Sequence, residues 1–348
     1  MNKFKILLAL LLLNPGFSLL QAQTADTLTA AFWNLENLFD TIDDPVKADE
    51  EFLPGSEKEW TEERLEKKMY NLSRVIRSMN NGSGPDLLGV CEVENRAVLD
   101  SMINKFLPDM NYEIVHSESP DNRGIDNAFI FRSNLFKLLD VITDTVRLPD
   151  LYPTRLILGI KLLTGTDDTI FVFVNHWPSR RGGEAESEPN RIEAAKTLRA
   201  RIDSIKSETP DPNILIVGDF NDEPLNKSLL NILGAQPFIC DSAVSESVED
   251  TLTDLFNLSY KTFSGGEGTY RYKDDWNMLD QIIVSKQLIT GNDLVYICDS
   301  FTVFKPYFLQ THSGYYEGTA FPTYGGKKYL GGYSDHYPVL AKILLTGD

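Results

Sequence analysis

The sequence predicts an α+β fold in which two packed sheets carry helices on their outer faces. Three observations support this. Short apolar runs at residues 28–33, 87–93, 128–131, 157–163, 170–175, 214–217 and 282–284 read as strands and outnumber the helical patterns. Several of these runs lie close enough in the chain for antiparallel pairing, which a doubly wound parallel sheet does not offer. No repeat, heptad array or long linker interrupts residues 24–348, which therefore read as one domain.

The elements follow in order. Lys3 and Lys5 precede an apolar run over residues 6–13, and Gln21-Ala22-Gln23 supplies a small residue at a cut site. This reads as a signal peptide over residues 1–23, so export is expected, to the periplasm or beyond. The run is too short for a membrane span. Residues 60–79 read as a helix, with Leu65, Met69, Leu72, Ile76 and Met79 on one face. A second helix is expected over 190–205, with Pro189 just before it. Residues 307–333, rich in Gly, Tyr and Phe without a period, read as a long loop that walls a site or packs on the surface.

Composition narrows the function. The 348 residues are 42% hydrophobic, enough for a large core, and the formal charge is −18. That charge argues against holding nucleic acid on a broad basic surface, though not against handling phosphate through a metal ion. Acidic residues concentrate in 40–66 and 241–254. Both stretches read as solvated loops, since neither has the spaced Asp/Asn pattern and Gly of a calcium loop. Three cysteines exclude a disulfide-built scaffold, and none has the adjacent base of a nucleophile.

The informative feature is the polar residues at strand ends. They occur in Asn34-Leu35-Glu36, Glu92-Val93-Glu94, Asn175-His176-Trp177, Asp219-Phe220-Asn221, Asp280-Gln281 and Ser334-Asp335-His336. Any one could be a turn; six together, each at the edge of an apolar run, call for another reason. Carboxylates with an amide oxygen suit a hard cation such as Mg²⁺, with Mn²⁺ or Ca²⁺ as alternatives. Histidine beside carboxylate suits a general base. His116 and His312 lack such a setting and read as structural. A zinc cluster, a nucleophile elbow and a Walker loop are all missing from the sequence.

The order of these clusters resembles the endonuclease/exonuclease/phosphatase superfamily, the deoxyribonuclease I-like phosphoesterases, over nearly the whole mature chain. The most specific matches are Gly218-Asp219-Phe220-Asn221, Asp280 and Ser334-Asp335-His336. The resemblance implies a four-layer αββα sandwich with its site at one edge. It implies that Asn34, Glu92 and Asp335 surround a divalent cation, with Glu36 behind Glu92. His336 would be the general base, oriented by Asp280. Asp219 would handle a proton, Asn221 would hold a phosphoryl oxygen, and His176 would stabilise the transition state. Abasic-site repair enzymes of this family carry Asn-x-Tyr-x-Pro where this chain has Asn175-His176-Trp177-Pro178, so DNA repair is not expected.

Arg123 and Arg180 are expected on the substrate phosphate, whereas Arg181 reads as a surface residue. Tyr270, Tyr272 and Trp276 read as core or cross-strand aromatics, or as a stacking surface. The expected activity is an exported Mg²⁺-dependent phosphodiesterase, first a nuclease acting on nucleic acid. A phosphatase or lipid phosphodiesterase, acting on a phosphorylated small molecule or lipid headgroup, is the alternative. A binding protein on the same scaffold is the third reading. No stable protein partner is expected.

Overall fold

A computed structural model describes residues 26–240, Val248 and residues 253–346. The expected signal peptide and most of the acidic stretch 241–254 lie outside the described residues. No helix among the described residues is long and apolar enough to cross a membrane.

Two mixed sheets stack into a sandwich. The first runs β14 (Leu294–Tyr296), β18 (Val339–Leu345), β1 (Asp26–Leu38), β2 (Leu87–Val93), β4 (Asp126–Arg132) and β3 (Tyr112–His116), with β15 (Thr302–Val303) also on β18. The second runs β5 (Phe136–Asp144), β6 (Ile157–Thr164), β7 (Thr169–His176), β8 (Asn213–Asp219), β13 (Asp280–Ser285), β10 (Leu255–Asn257) and β9 (Ala235–Pro237). Each sheet has a parallel pair at its centre, β1/β2 and β7/β8, and α1 (Glu62–Ser78) and α3 (Glu184–Glu208) lie in the two crossovers. A parallel pair needs such a crossover.

Alternation along the strands builds the layers. In β7 and β8, Ile170, Val172, Val174, Leu215 and Val217 belong to the core between the sheets. Their neighbours Phe171, Phe173, Ile214 and Ile216 pack instead with Ala194, Leu198 and Ile202 of α3. Each fully buried side chain of this kind contributes about 1.5–3 kcal/mol. Gly89 marks a close approach of the sheets, since a Cβ there would lie 2.6 Å from Val217 Cγ2. On the other side, α1 and α2 (Arg96–Phe106) cover the first sheet with Leu65, Met69, Leu72, Ile76, Leu99 and Met102.

Three details differ from the sequence reading. Helix α3 begins at Glu184 with Pro189 inside it. Its first turns are held by Ser187 Oγ and N donating to Gly183 O, and by Arg191 Nη2 donating to Glu184 O. Those bonds secure the start despite the amide that proline lacks. Cys240 and Cys298, for which the sequence suggests no pairing, form a disulfide with Cα atoms 5.7 Å apart. Residues 307–333 contain a short hairpin, β16 (Tyr324–Gly325) and β17 (Lys328–Tyr329), while Tyr307, Tyr315 and Tyr316 remain exposed.

Candidate active site

The central pairs deliver their polar ends to one edge of the sandwich. In the second sheet the register puts His176, Asp219 and Asp280 in one row across β7, β8 and β13. In the first sheet Asn34 lies opposite Cys91, just before Glu92. Because β18 runs antiparallel to β1, the loop entering β18 carries Asp335 and His336 to the same edge. Trp33 Nε1 donates to His336 O at 2.9 Å, and Ser334 Oγ donates to Asn34 O at 2.7 Å. Asn34 Nδ2 then crosses between the sheets to Asp219 Oδ2 at 3.1 Å.

Irregular backbone aims the first sheet's carboxylates. The β1–β2 register shifts between Asn34 and Leu38, and the β2–β4 register shifts around Glu92. Glu36, Asn37, Glu92 and Asn221 all have positive φ, between 50° and 59°. Such conformations cost about 1–3 kcal/mol each for residues with a Cβ, and they cluster at functional sites. The Asn37 amide, freed from the ladder, donates to Glu92 Oε2 at 3.0 Å.

His336 is held from three sides. Its Nδ1 and Asp280 Oδ2 are 2.7 Å apart, Tyr270 stacks on the ring at 4.7 Å between centroids, and Ser334 Oγ receives its amide. Burial opposes charge on His336, but Asp280, Asp335 and Asp219 outweigh it and raise its pKa well above the ordinary histidine range. Its other nitrogen, Nε2, lies 4.0 Å from Asp219 Oδ2. His176 Nε2 lies 3.9 Å from both Asp219 Oδ2 and Glu92 Oε1. Burial, then the Arg155 and Arg123 guanidiniums, hold His176 well below the usual range, so it is neutral. Its Nδ1 is buried without a partner, so a proton on Nε2 is the tautomer that leaves no donor stranded. Burial raises the Asp219 pKa.

The oxygen donors fit a divalent cation. Asp335 accepts no hydrogen bond from the described residues, and its carboxyl is pushed up to about 7, first by burial and then by Glu36 and Glu92. Asp280 Oδ1 is buried and unpartnered. A cation beside Asp335 would relieve the first condition. Carboxylate oxygens of Asp219 and Asp280 and a ring nitrogen of His336 also lie within 4.8 Å of one another. His336 Nδ1 is already closed by Asp280, which leaves the Glu92–Asp335 side better suited to the ion. Glu36 sits behind: it receives the Thr323 and Tyr324 amides at 2.6 and 3.2 Å and lies 3.6 Å from Lys68 Nζ.

Several supporting residues were not singled out from sequence. Lys68 is buried and donates to Glu36 O, Thr323 Oγ1 and Tyr333 O, which ties the aromatic loop to β1. Its position three residues after Leu65 and four before Leu72 puts a lysine on the apolar stripe of α1, and that was the available clue. Arg155 donates to His176 O and Trp177 O and pairs with Asp121 at 3.1 Å. Arg123 stands near His176 with its side chain half exposed. Arg180 is placed differently from the phosphate contact expected of it. Its guanidinium donates to Asn221 O, Asn277 Oδ1 and Asn226 Oδ1, so it braces the Asn221 turn. Asn221 Nδ2 donates to Trp177 O at 3.0 Å, which leaves one amide hydrogen for a ligand. His116 pairs with Asp126 at 3.0 Å, away from this row.

Two mixed sheets face to face, with the polar ends of their central strands meeting at one edge, define a deoxyribonuclease I-like α+β sandwich. The chain belongs to the Endonuclease/Exonuclease/phosphatase family, whose model matches residues 29–344. Solved structures agree on the fold. The human Nocturnin catalytic domain with bound sulfate is 16% identical, covers 93% of this chain and 97% of its own, and has a TM-score of 0.54. A mannosyl-6-phosphatase from Bacteroides thetaiotaomicron is 17% identical, with coverages of 91% and 99% and a TM-score of 0.55. D. rerio TDP2 with single-strand DNA product is 14% identical, with coverages of 91% and 98% and a TM-score of 0.50. None of the curated proteins compared with the chain matches it.

Proposed function

We propose that the chain is an exported, Mg²⁺-dependent hydrolase of phosphate esters that works by direct attack of water. The observation that carries this reading is the spacing around Asp219. His336 Nε2 and His176 Nε2 stand 4.0 and 3.9 Å from its Oδ2, and one oxygen atom bridges such a gap with two hydrogen bonds of about 2.8 Å. Asp280 fixes the His336 ring, so Nε2 is the atom that exchanges a proton with the attacking water. Neutral His176 offers its Nε2 proton to an oxygen gaining charge, and Asn221 offers its remaining amide hydrogen. A cation held by Asn34, Glu92 and Asp335 would supply positive charge to the phosphoryl oxygens. The Cys240–Cys298 disulfide supports export, because such bonds persist in oxidising compartments.

The sequence favours a nuclease. The cations around the site favour the second reading, a small or terminal phosphoester. Lys68, Arg155 and Arg180 are committed to protein groups, and Arg123, half exposed beside His176, itself pairs with Asp121 at 3.5 Å, so few of the described cations here remain for phosphate contacts. Tight duplex binding rests on many such contacts. The TDP2 neighbour with its single-strand product and the mannosyl-6-phosphatase are compatible with either substrate class.

The test offers plasmid DNA, single-stranded RNA, sphingomyelin and sugar phosphates to protein lacking its first 23 residues, with Mg²⁺ and with EDTA, beside His336→Ala. Metal-dependent turnover lost in the variant supports the mechanism, and the substrate cleaved decides the class. Full activity in His336→Ala would overturn the mechanism.

A further inference from the structure

The loops leaving β1 and β2 build a second group of oxygen donors, outside the catalytic row. Asp40, Asp44, Asp49 and Glu94 line one cleft of about 330 Å³. The sequence reads residues 40–66 as a solvated loop, yet Asp49 within it is 2% exposed, and Glu94 from the end of β2 is 8% exposed. Asp49 Oδ2 accepts the Asp44 amide at 3.0 Å, while its Oδ1 is buried with no hydrogen-bond partner. A buried carboxylate oxygen without a partner is unfavourable unless a cation takes it. Among the described residues, no Lys, Arg or His pairs with any of the four carboxylates. Lys47, which lines the same cleft, spends its ammonium on the carbonyls of Ser119 and Asp121, both at 2.9 Å. The donors are also pre-oriented: the Asp40 amide holds Glu94 Oε2 at 2.5 Å, and Asn95 Nδ2 holds Asp40 Oδ2 at 3.0 Å.

We propose that this cleft is a second cation site, taking a calcium-sized ion through Asp49 Oδ1 and the carboxylates of Asp40, Asp44 and Glu94. Calcium suits it better than magnesium, because the donors are all oxygen, anionic and drawn from separate loop segments. Ca²⁺ accepts six to eight such ligands in loose geometry, whereas Mg²⁺ demands a tight octahedron and keeps its waters. The bound ion ties the end of β1 to the end of β2. It thereby anchors the two irregular segments that carry Asn34, Glu36 and Glu92. The site is independent of the catalytic reading.

The experiment titrates metal-stripped protein with Ca²⁺ by calorimetry, and with Tb³⁺ by emission excited through tryptophan. Trp60 serves as antenna, since its indole donates to Phe39 O, next to Asp40, at 3.0 Å. Wild type, Asp49→Asn and Glu92→Gln are compared, with circular dichroism to check folding. Glu92→Gln should keep the emission and at least one equivalent of Ca²⁺. Asp49→Asn should lose one equivalent and at least tenfold of the emission. Glu94→Gln replaces Asp49→Asn if the latter does not fold. Unchanged stoichiometry and emission in these cleft variants, loss in Glu92→Gln alone, or no Ca²⁺ binding by wild type would each overturn the proposal.

Discussion

Asp280→Asn isolates the part of the mechanism that belongs to the chain itself. Asp280 is fully buried, and its Oδ2 stands 2.7 Å from His336 Nδ1. The amide keeps the volume but removes the charge, and it can present N–H where the ring also needs to donate. The ring then loses its fixed tautomer. Correct general-base placement is worth about 10²–10⁴ in rate, so kcat should fall by that factor, about 3–5 kcal/mol of transition-state stabilisation. KM should change by less than threefold, because Asp280 touches no substrate. The pH profile gives a second reading. Asp280 is the first of the carboxylates that raise His336, so removing it lowers that pKa, and the rising limb of kcat should move to lower pH. Stability follows the same sign. The pair's contribution is fully present below the unfolded histidine pKa and is lost as pH rises through the raised folded value. The melting-temperature deficit of the variant should therefore be larger at pH 6 than at pH 10. A kcat within threefold of wild type, with an unmoved limb, would refute the dyad.

Glu92→Gln should raise the Mg²⁺ concentration for half-maximal activity at least tenfold, and an unchanged Mg²⁺ titration would remove Glu92 from the ion's ligands. With the metal stripped, the fold favours protonated Asp335, whose pKa lies near 7. Stability of the EDTA-treated protein should thus fall as pH rises from about 4 to 7 and recover when Mg²⁺ is added, as read by thermal melts at fixed ionic strength. Arg123→Ala should raise KM with little change in melting temperature, and Arg180→Ala should do the reverse, losing about 1–3 kcal/mol as its bonds to Asn221, Asn226 and Asn277 are broken. Cys298→Ala opens a loop of 58 residues and should cost about 4 kcal/mol in denaturant unfolding.

The strand ends were legible because a polar residue closing an apolar run has no packing reason to be there. The structure gathers them at one edge because two parallel pairs end there and two antiparallel partners begin there. What carries the site from behind was less visible. Lys68 left a trace in the helical period. Arg155 and Asp121, 34 residues apart, left none, because their meeting depends on loop paths rather than on a local pattern. The displacement of Glu92 was hidden for a related reason. Period-two alternation assumes an unbroken ladder, and here β1 inserts extra residues between Asn34 and Leu38. The same limit applied to Asp49, which lies on a loop tied to residues 119–122 through Lys47 and Ala48. The link from Cys240 to Cys298 likewise depends on the sheets that bring distant segments together.

The charge balance of the catalytic edge supports the proposed cation dependence. Glu36, Glu92, Asp219, Asp280 and Asp335 converge there. The counter-charges within the protein are Lys68 against Glu36 and His336 against Asp280 and Asp219, while His176 is neutral. Among the described residues, Glu92 meets only the neutral His176 and Asp335 has no ion pair. A phosphate ester approaching this edge meets repulsion before it meets any donor, and low-dielectric walls strengthen that repulsion. A divalent ion held by Glu92 and Asp335 would supply the positive charge that offsets this repulsion. Its removal should therefore weaken substrate binding and slow the chemistry together. Loss of Asp280 should slow the chemistry alone, so the two kinetic signatures separate the ion's work from the dyad's.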